Sequence, residues 1–221
     1  MRLWSDSFTE GGVIPPECAL ALIDPVSHVR YSSNRNPHMA WDEVPFGTQS
    51  LALFCRDLDA PSVGVDVNRE GRVVAAELPR VEFHHWTLVD IPLAIKSVGE
   101  GKFSDQVTAH GKPGPLVPFT IKNGTEHQLR QGLNDYTALF TNDPDMAGEY
   151  FGYDGPFPPW NDLRPHAYLF CLYALDVPFP LEGNFTGPQA RLAIRGHILD
   201  EAQVFGVYSL NPEVADALAG V

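Results

Sequence analysis

Apolar residues come along this chain in short runs broken by punctuation such as Pro15-Pro16, Pro158-Pro159 and Gly187-Pro188, and no segment repeats. Short runs bounded by turn formers predict strands, the clearest at 50–57, 84–91 and 168–176. In the last, Leu169, Cys171 and Tyr173 alternate with Phe170, Leu172 and Ala174, so both faces are apolar and the strand should be central. Val65 to Val74 predicts a β-hairpin with its turn at Asn68-Arg-Glu-Gly71, an inserted ribbon within about 63–82. Over 102–149 the periodicity is lost among Gly, Pro, Asn and Asp, which predicts a long loop excursion rather than a second core. Near the end, Ile198, Leu199, Ala202 and Phe205 have helical spacing, stopped by Gly206, and Val207–Leu210 resumes as a strand. Asn211-Pro212 opens a short helix to about Leu218, with Asn as N-cap and Pro in the first turn. The fold class expected from this pattern is mainly β, with short C-terminal helices.

Composition narrows the class. With 44% hydrophobic and 19% charged residues the chain can bury a core and is neither disordered nor a coiled coil. Its 221 residues fit within one β-sandwich or barrel, so a single domain over 1–221 is expected. Gly 19 and Pro 20 exceed the combined total of about 27 that average usage gives, which favours strands and loops. The formal charge of −13 repels nucleic acid and anionic membrane surfaces, so any anion must be held by local geometry. The opening residues lack a secretory signal and no run is long enough to span a membrane, so a cytoplasmic address without membrane insertion is expected. Cys18, Cys55 and Cys171 are odd in number, far apart and outside any C-x-x-C pattern, which predicts buried free thiols.

Three polar clusters stand out. Asp57-Leu-Asp-Ala-Pro61 ends an apolar strand with carboxylates two apart, hence on one face. In Phe83-His-His-Trp86 the adjacent histidines point to opposite faces, so one of them can enter a given pocket. The third is the Gly/Pro-rich aromatic loop from Gly152 into Tyr168, where His166 and Tyr168 share a face. G-x-S-x-G, a phosphate loop, H-E-x-x-H and the dinucleotide fingerprint are missing, which argues against covalent catalysis and gives no cofactor. Asp57, His85 and His166 have donor atoms that suit a divalent metal, but their spacing is not diagnostic, and no metal is expected.

Together, Asn36-Pro-His-Met-Ala-Trp41, Asp57-Leu-Asp-Ala-Pro61, His85-Trp86, Gly152-Tyr-Asp-Gly155, His166-Ala-Tyr168, Tyr173-Ala-Leu-Asp176 and Gly196-His197 resemble the phosphatidylethanolamine-binding protein family, including bacterial members related to Raf kinase inhibitor protein. The order and content of these segments carry the resemblance, which covers most of the chain. It implies a β-sandwich of largely antiparallel sheets with a small anion pocket at one end. Carried over, the ligand-binding residues are Asp57, Pro61, His85, Trp86, Gly155, Pro156, His166 and Tyr168, with Asp59 lining or bracing the pocket. Leu58 stands where the family usually has proline, and the 63–82 and 102–149 segments are long for the family.

The function expected is capture of a small anion such as a phosphate ester or phospholipid head group. The family adds regulation of a partner protein, a kinase or protease, and a homodimer. A hydrolase using Asp57 and His85 as an acid/base pair, or a protease inhibitor acting through an exposed loop, are the alternatives. Trp86, Tyr153 and Trp160 are expected as apolar walls. If His85 and His166 titrate near an ordinary pH of about 6.5, anion affinity falls between about pH 6 and 8 as they lose charge.

Overall fold

The computed structural model describes residues 1–220. Its strands are β1 (Arg2–Trp4), β2 (Ala21–Asp24), β3 (His28–Tyr31), β4 (Met39–Asp42), β5 (Ser50–Pro61), β6 (Arg80–Ile91), β7 (Ser97–Val98), β8 (Leu116–Thr120), β9 (Glu126–Gln131), β10 (His166–Leu175) and β11 (Ile198–Tyr208). The helices are α1 (Tyr136–Leu139), α2 (Gly187–Ala193) and α3 (Pro212–Ala219). Six strands form one sheet in the order β11-β10-β5-β6-β9-β8, three form a second in the order β1-β4-β7, and β2 pairs with β3. All these pairings are antiparallel.

The alternating apolar residues of β5 and β10 explain the layering. Leu51, Leu53 and Cys55 with Phe170 and Leu172 face the three-stranded sheet, where Leu3, Met39, Trp41 and Val98 meet them. Ala52 and Phe54 with Cys171, Tyr173 and Leu175 face the other way, onto Phe185 and onto Ala190 and Ile194 of the α2 segment. Each fully buried Leu or Phe on these faces contributes about 1.5–3 kcal/mol by leaving water. The central strand is thus covered on both sides, as its unbroken apolar pattern requires. Asn211 caps α3 by accepting from the Glu213 and Val214 N–H groups, as the Asn-Pro start predicts.

Three sequence expectations are corrected. The stretch expected to be a helix before Gly206 is part of β11. Its inward positions are Ala202, Val204 and Tyr208, at period two, whereas Ile198, Leu199 and Phe205, which suggested a helix, face outward. Gly206 continues that strand: a side chain there would bring its Cβ within 2.6 Å of Ile14, which crosses over it.

The expected hairpin at 65–74 is a turn-rich loop. Its backbone closes local turns, Val67 N–H to the Gly64 carbonyl and Arg72 N–H to the Arg69 carbonyl, and is gathered by Asn161, which accepts from Asn68 N–H and donates to the carbonyls of Asp66 and Arg72. Finally, the 102–149 excursion contains the β8–β9 hairpin, which joins the main sheet through Leu88↔Gln131 and Val89↔Arg130. Val117 and Phe119 point inward while Leu116, Pro118 and Thr120 are exposed, a five-residue alternation too short to stand out in sequence. The three cysteines are free and buried.

Candidate functional site

Strand register brings the polar clusters together. Tyr168 lies directly across from Asp57 in the β10–β5 ladder, and β10 begins two residues earlier at His166. In the β5–β6 ladder Cys55 faces Trp86 and Arg56 faces His84, so His85 is the extra residue of a β-bulge. His84 turns toward α2, where a side chain on Gly187 would come within 2.1 Å of its Nδ1. His85 turns to the other face, with its ring centroid 5.1 Å from Tyr168 and 5.4 Å from Tyr136, both edge-on. Asp57, His85, His166 and Tyr168 therefore converge, and all four are buried.

The charges are arranged as a chain. His166 Nδ1 lies 2.7 Å from Asp57 Oδ2 and Nε2 lies 3.1 Å from Asp162 Oδ2. Both partners can only accept, so both ring nitrogens carry protons and the imidazole is a cation. Burial opposes that charge, but Asp57 and the hydrogen bonds to Asp162 and Asp57 outweigh it and raise the His166 pKa to about 9. Asp162 in turn takes two bonds from Arg80, at 2.5 and 3.0 Å. Burial pushes the Asp162 pKa up, yet the bonds from His166 and Arg80 leave it below the usual value. Arg80, Asp162, His166 and Asp57 thus sum to zero charge.

His85 is the opposite case. Burial pulls its pKa below the usual value despite Asp57 and the Asp154 carbonyl. Its Nδ1–H donates to that carbonyl at 2.7 Å, so the neutral ring leaves Nε2 unprotonated and able to accept. Nearby, the buried Tyr168 hydroxyl has no hydrogen-bond partner among the described residues. The cluster thus offers a hydroxyl that can donate and, on His85, an unprotonated ring nitrogen that can accept.

The remaining expected residues support this cluster. Asp57 Oδ1 accepts from Asp59 N–H at 2.7 Å, while Asp59 accepts from Ala167 N–H at 2.9 Å and from Arg164 Nε at 2.8 Å. Asp59 is therefore a brace that ties β5 to the start of β10. Gly155 donates to Asn34 Oδ1 and accepts from Tyr136 Oη, and the Pro156 carbonyl accepts from Leu20 and Ala21 N–H. Gly155 is required by proximity, since a Cβ there would lie 2.1 Å from the Cys18 carbonyl oxygen. Pro61 pairs with Arg80 at the half-buried end of β5, outside the converging group.

Of the expected apolar walls, Trp86 and Tyr153 belong to the same buried core cluster as Tyr168, and Trp160 packs against it partly buried. Trp86 is fully buried, donates to Gln131 Oε1 at 2.8 Å and packs edge-on against Tyr153, whose hydroxyl donates to the Cys18 carbonyl. Trp160 stacks on His28 with centroids 3.8 Å apart, near the loop at Glu70.

Sequence reading passed over Asp162 and Arg80, although Asp162 is four residues before His166 within the singled-out loop. It also passed over Asp154 and Lys112. Asp154 is buried and accepts from the side-chain amides of Asn34 and Asn134, each at 2.7 Å, and Lys112 Nζ lies 2.8 Å from it. Burial draws the Lys112 pKa down against the pull of Asp154. This ion pair fixes the carbonyl that sets the His85 tautomer. Among the described residues, no three His, Cys, Asp or Glu side chains are grouped to hold a metal ion.

The sequence model of the family described as "Phosphatidylethanolamine-binding protein" matches residues 4–209. A UPF0098 protein of Methanothermobacter thermautotrophicus is 29% identical over 211 residues, covering 94% of this chain and 98% of its own. YbhB of Escherichia coli, also a UPF0098 protein, is 24% identical over 177 residues, covering 80% of this chain and 82% of its own. Two solved structures share the fold at 22% identity and 94% coverage of this chain. YbcL of Escherichia coli, titled a new member of the mammalian PEBP family, has a TM-score of 0.62 with 97% of its chain covered. The PEBP homolog CT736 of Chlamydia trachomatis has a TM-score of 0.60 with 96% covered.

Proposed function

Because this chain belongs to the phosphatidylethanolamine-binding protein family, we propose that the Asp57–His85–His166–Tyr168 cluster binds a small phosphate-type anion. The observation that carries this reading is the buried Tyr168 hydroxyl, without a partner among the described residues, beside a neutral His85 whose Nδ1 is engaged by the Asp154 carbonyl. A phosphate ester that retains one proton matches both functions: its P–O accepts from Tyr168 Oη and its P–OH donates to His85 Nε2. The compensated chain from Arg80 to Asp57 supports the same reading, because it lets an anion approach two aspartates without meeting net negative charge. The acid/base alternative is disfavoured, since both Asp57 oxygens already accept hydrogen bonds, from His166 and from the Asp59 backbone. Regulation of a protein partner would follow from ligand occupancy of this cluster.

Calorimetric titration with methyl phosphate tests the proposal in wild type and Tyr168→Phe. Loss of a hydrogen bond to a charged ligand should weaken binding by about 1.5–3 kcal/mol, roughly tenfold or more. The thermal midpoint should hold or rise, because the substitution removes a buried unsatisfied hydroxyl. Equal affinity in the two proteins would contradict the reading.

A further inference from the structure

The six-stranded sheet ends at β8 and the three-stranded sheet at β7, and a cleft of about 840 Å³ lies between these edges. It shares no residue with the Asp57–His166 cluster. Its floor is apolar: Ile95 is buried, and Phe119 stacks on Phe103, which leans on Trp86 of the core with centroids 5.6 Å apart. Its walls carry Lys96, Lys102 and Lys122, three of the four lysines in the whole chain. The fourth is the buried Lys112.

No Asp or Glu lines the cleft, although the chain has 28 of them. None of the three lysines forms an ion pair among the described residues. Of the flanking acids, Asp6 lies 3.4 Å from His38 and Glu100 lies 3.0 Å from Arg35, while Glu126, across the ladder from Thr120, is exposed to solvent. In a chain of charge −13, three lysines without counter-ions around one apolar floor form a local positive potential that an anion would relieve.

The edge itself argues against an added peptide strand. Gln131 N–H donates to the Pro115 carbonyl and Ile121 N–H to the Thr125 carbonyl at the two ends of the β8–β9 ladder. Antiparallel alternation then turns the backbone of Val117 and Phe119 toward β9 and leaves that of Leu116, Pro118 and Thr120 facing out. Pro118 has no N–H to offer at the centre of that outward row, so strand addition is blocked there. The volume lies within the usual range for small-molecule sites, about 300–1,000 Å³.

We propose that this cleft binds small organic anions that join a flat apolar body to two or three acidic groups. The body would lie on Phe119 and its acidic groups would reach the lysines. Pyranine, a flat fluorescent aromatic trisulfonate, is the probe, titrated into the full chain by fluorescence anisotropy. Saturable binding that weakens with salt is expected. Lys96→Gln, Lys102→Gln and Lys122→Gln should each weaken it about fivefold, and the triple variant on the order of a hundredfold, as one charge pair near 4 Å in water implies. Arginine at all three positions should restore it. The lysines are exposed, so thermal midpoints should be unchanged and a folding defect is separable. The absence of saturable binding, equal binding by the triple variant, or loss of binding in Tyr168→Phe instead would each overturn the assignment.

Discussion

Replacing His166 by Gln removes the cation at the centre of the charge chain without emptying its space. In the folded protein His166 holds its proton up to about pH 9, against 6.5 for an ordinary histidine. The folded state therefore keeps a proton that the unfolded chain releases between these values. This stabilisation is complete below pH 6.5 and is lost as pH rises through about 9. At about 1.4 kcal/mol per pH unit the interval corresponds to about 3 kcal/mol, and His166 is only 1% exposed, so solvent screens little of it. At neutral pH the variant leaves Asp57 and Asp162 facing each other without their shared cation, which should cost about 3–5 kcal/mol. Urea unfolding followed by tryptophan fluorescence, repeated from about pH 6.5 upward, reads the difference between wild type and His166→Gln. The gap should narrow by about 3 kcal/mol, or about 1 M urea at a slope of about 3 kcal/mol/M, by the time pH passes about 9. A gap that stays constant over that range would show that His166 is not held as a cation.

Further outcomes follow from neighbouring groups. Asp154→Asn should destabilise by about 3–5 kcal/mol by leaving Lys112 buried without its partner. Asp154→Asn combined with Lys112→Met should recover much of that in thermal unfolding, and no recovery would mean that the ion pair is not the cause. Gly155→Ala should cost on the order of 3 kcal/mol, since its Cβ meets the Cys18 carbonyl oxygen at 2.1 Å, and a thermal midpoint equal to wild type would refute the close approach. His84, whose pKa burial lowers to about 4, contributes stability above pH 6.5 that is lost as pH falls toward 4, up to about 3 kcal/mol. His84→Asn should flatten that acid limb of the urea midpoint, and an unchanged limb would assign it to other groups.

The layered β architecture was legible because β5, β6 and β10 are long runs whose faces are both buried, which leaves apolar patterns that survive in sequence. β11 was misread because two of its inward residues, Ala202 and Gly206, are small, whereas Ile198, Leu199 and Phe205 are large and face outward. The β8–β9 hairpin was missed because a proline in an edge strand reads as a loop. Asp57, His85, His166 and Tyr168 were found because chain order and the family's motifs mark strand ends. Their charge states were not legible, because the two rings sit in opposite surroundings. Asp162 and Asp57 hold one ring cationic, and burial with the Asp154 carbonyl holds the other neutral. Those partners come from segments that read as loops, and only tertiary structure places them against the rings.

The hydroxyl donor and the ring-nitrogen acceptor also fix how many protons a bound phosphate carries. Methyl phosphate loses its second proton near about pH 6, so at about pH 8 it is a dianion in solution. Bound between Tyr168 Oη and the unprotonated Nε2 of His85, it should take one proton back at the bridge to that nitrogen. Calorimetry at about pH 8 in two buffers with different heats of ionisation counts that proton directly. Uptake close to one proton per ligand bound is expected, fading toward zero below about pH 6, where the ligand already carries it. Binding without proton uptake at the higher pH, or no binding, would contradict it.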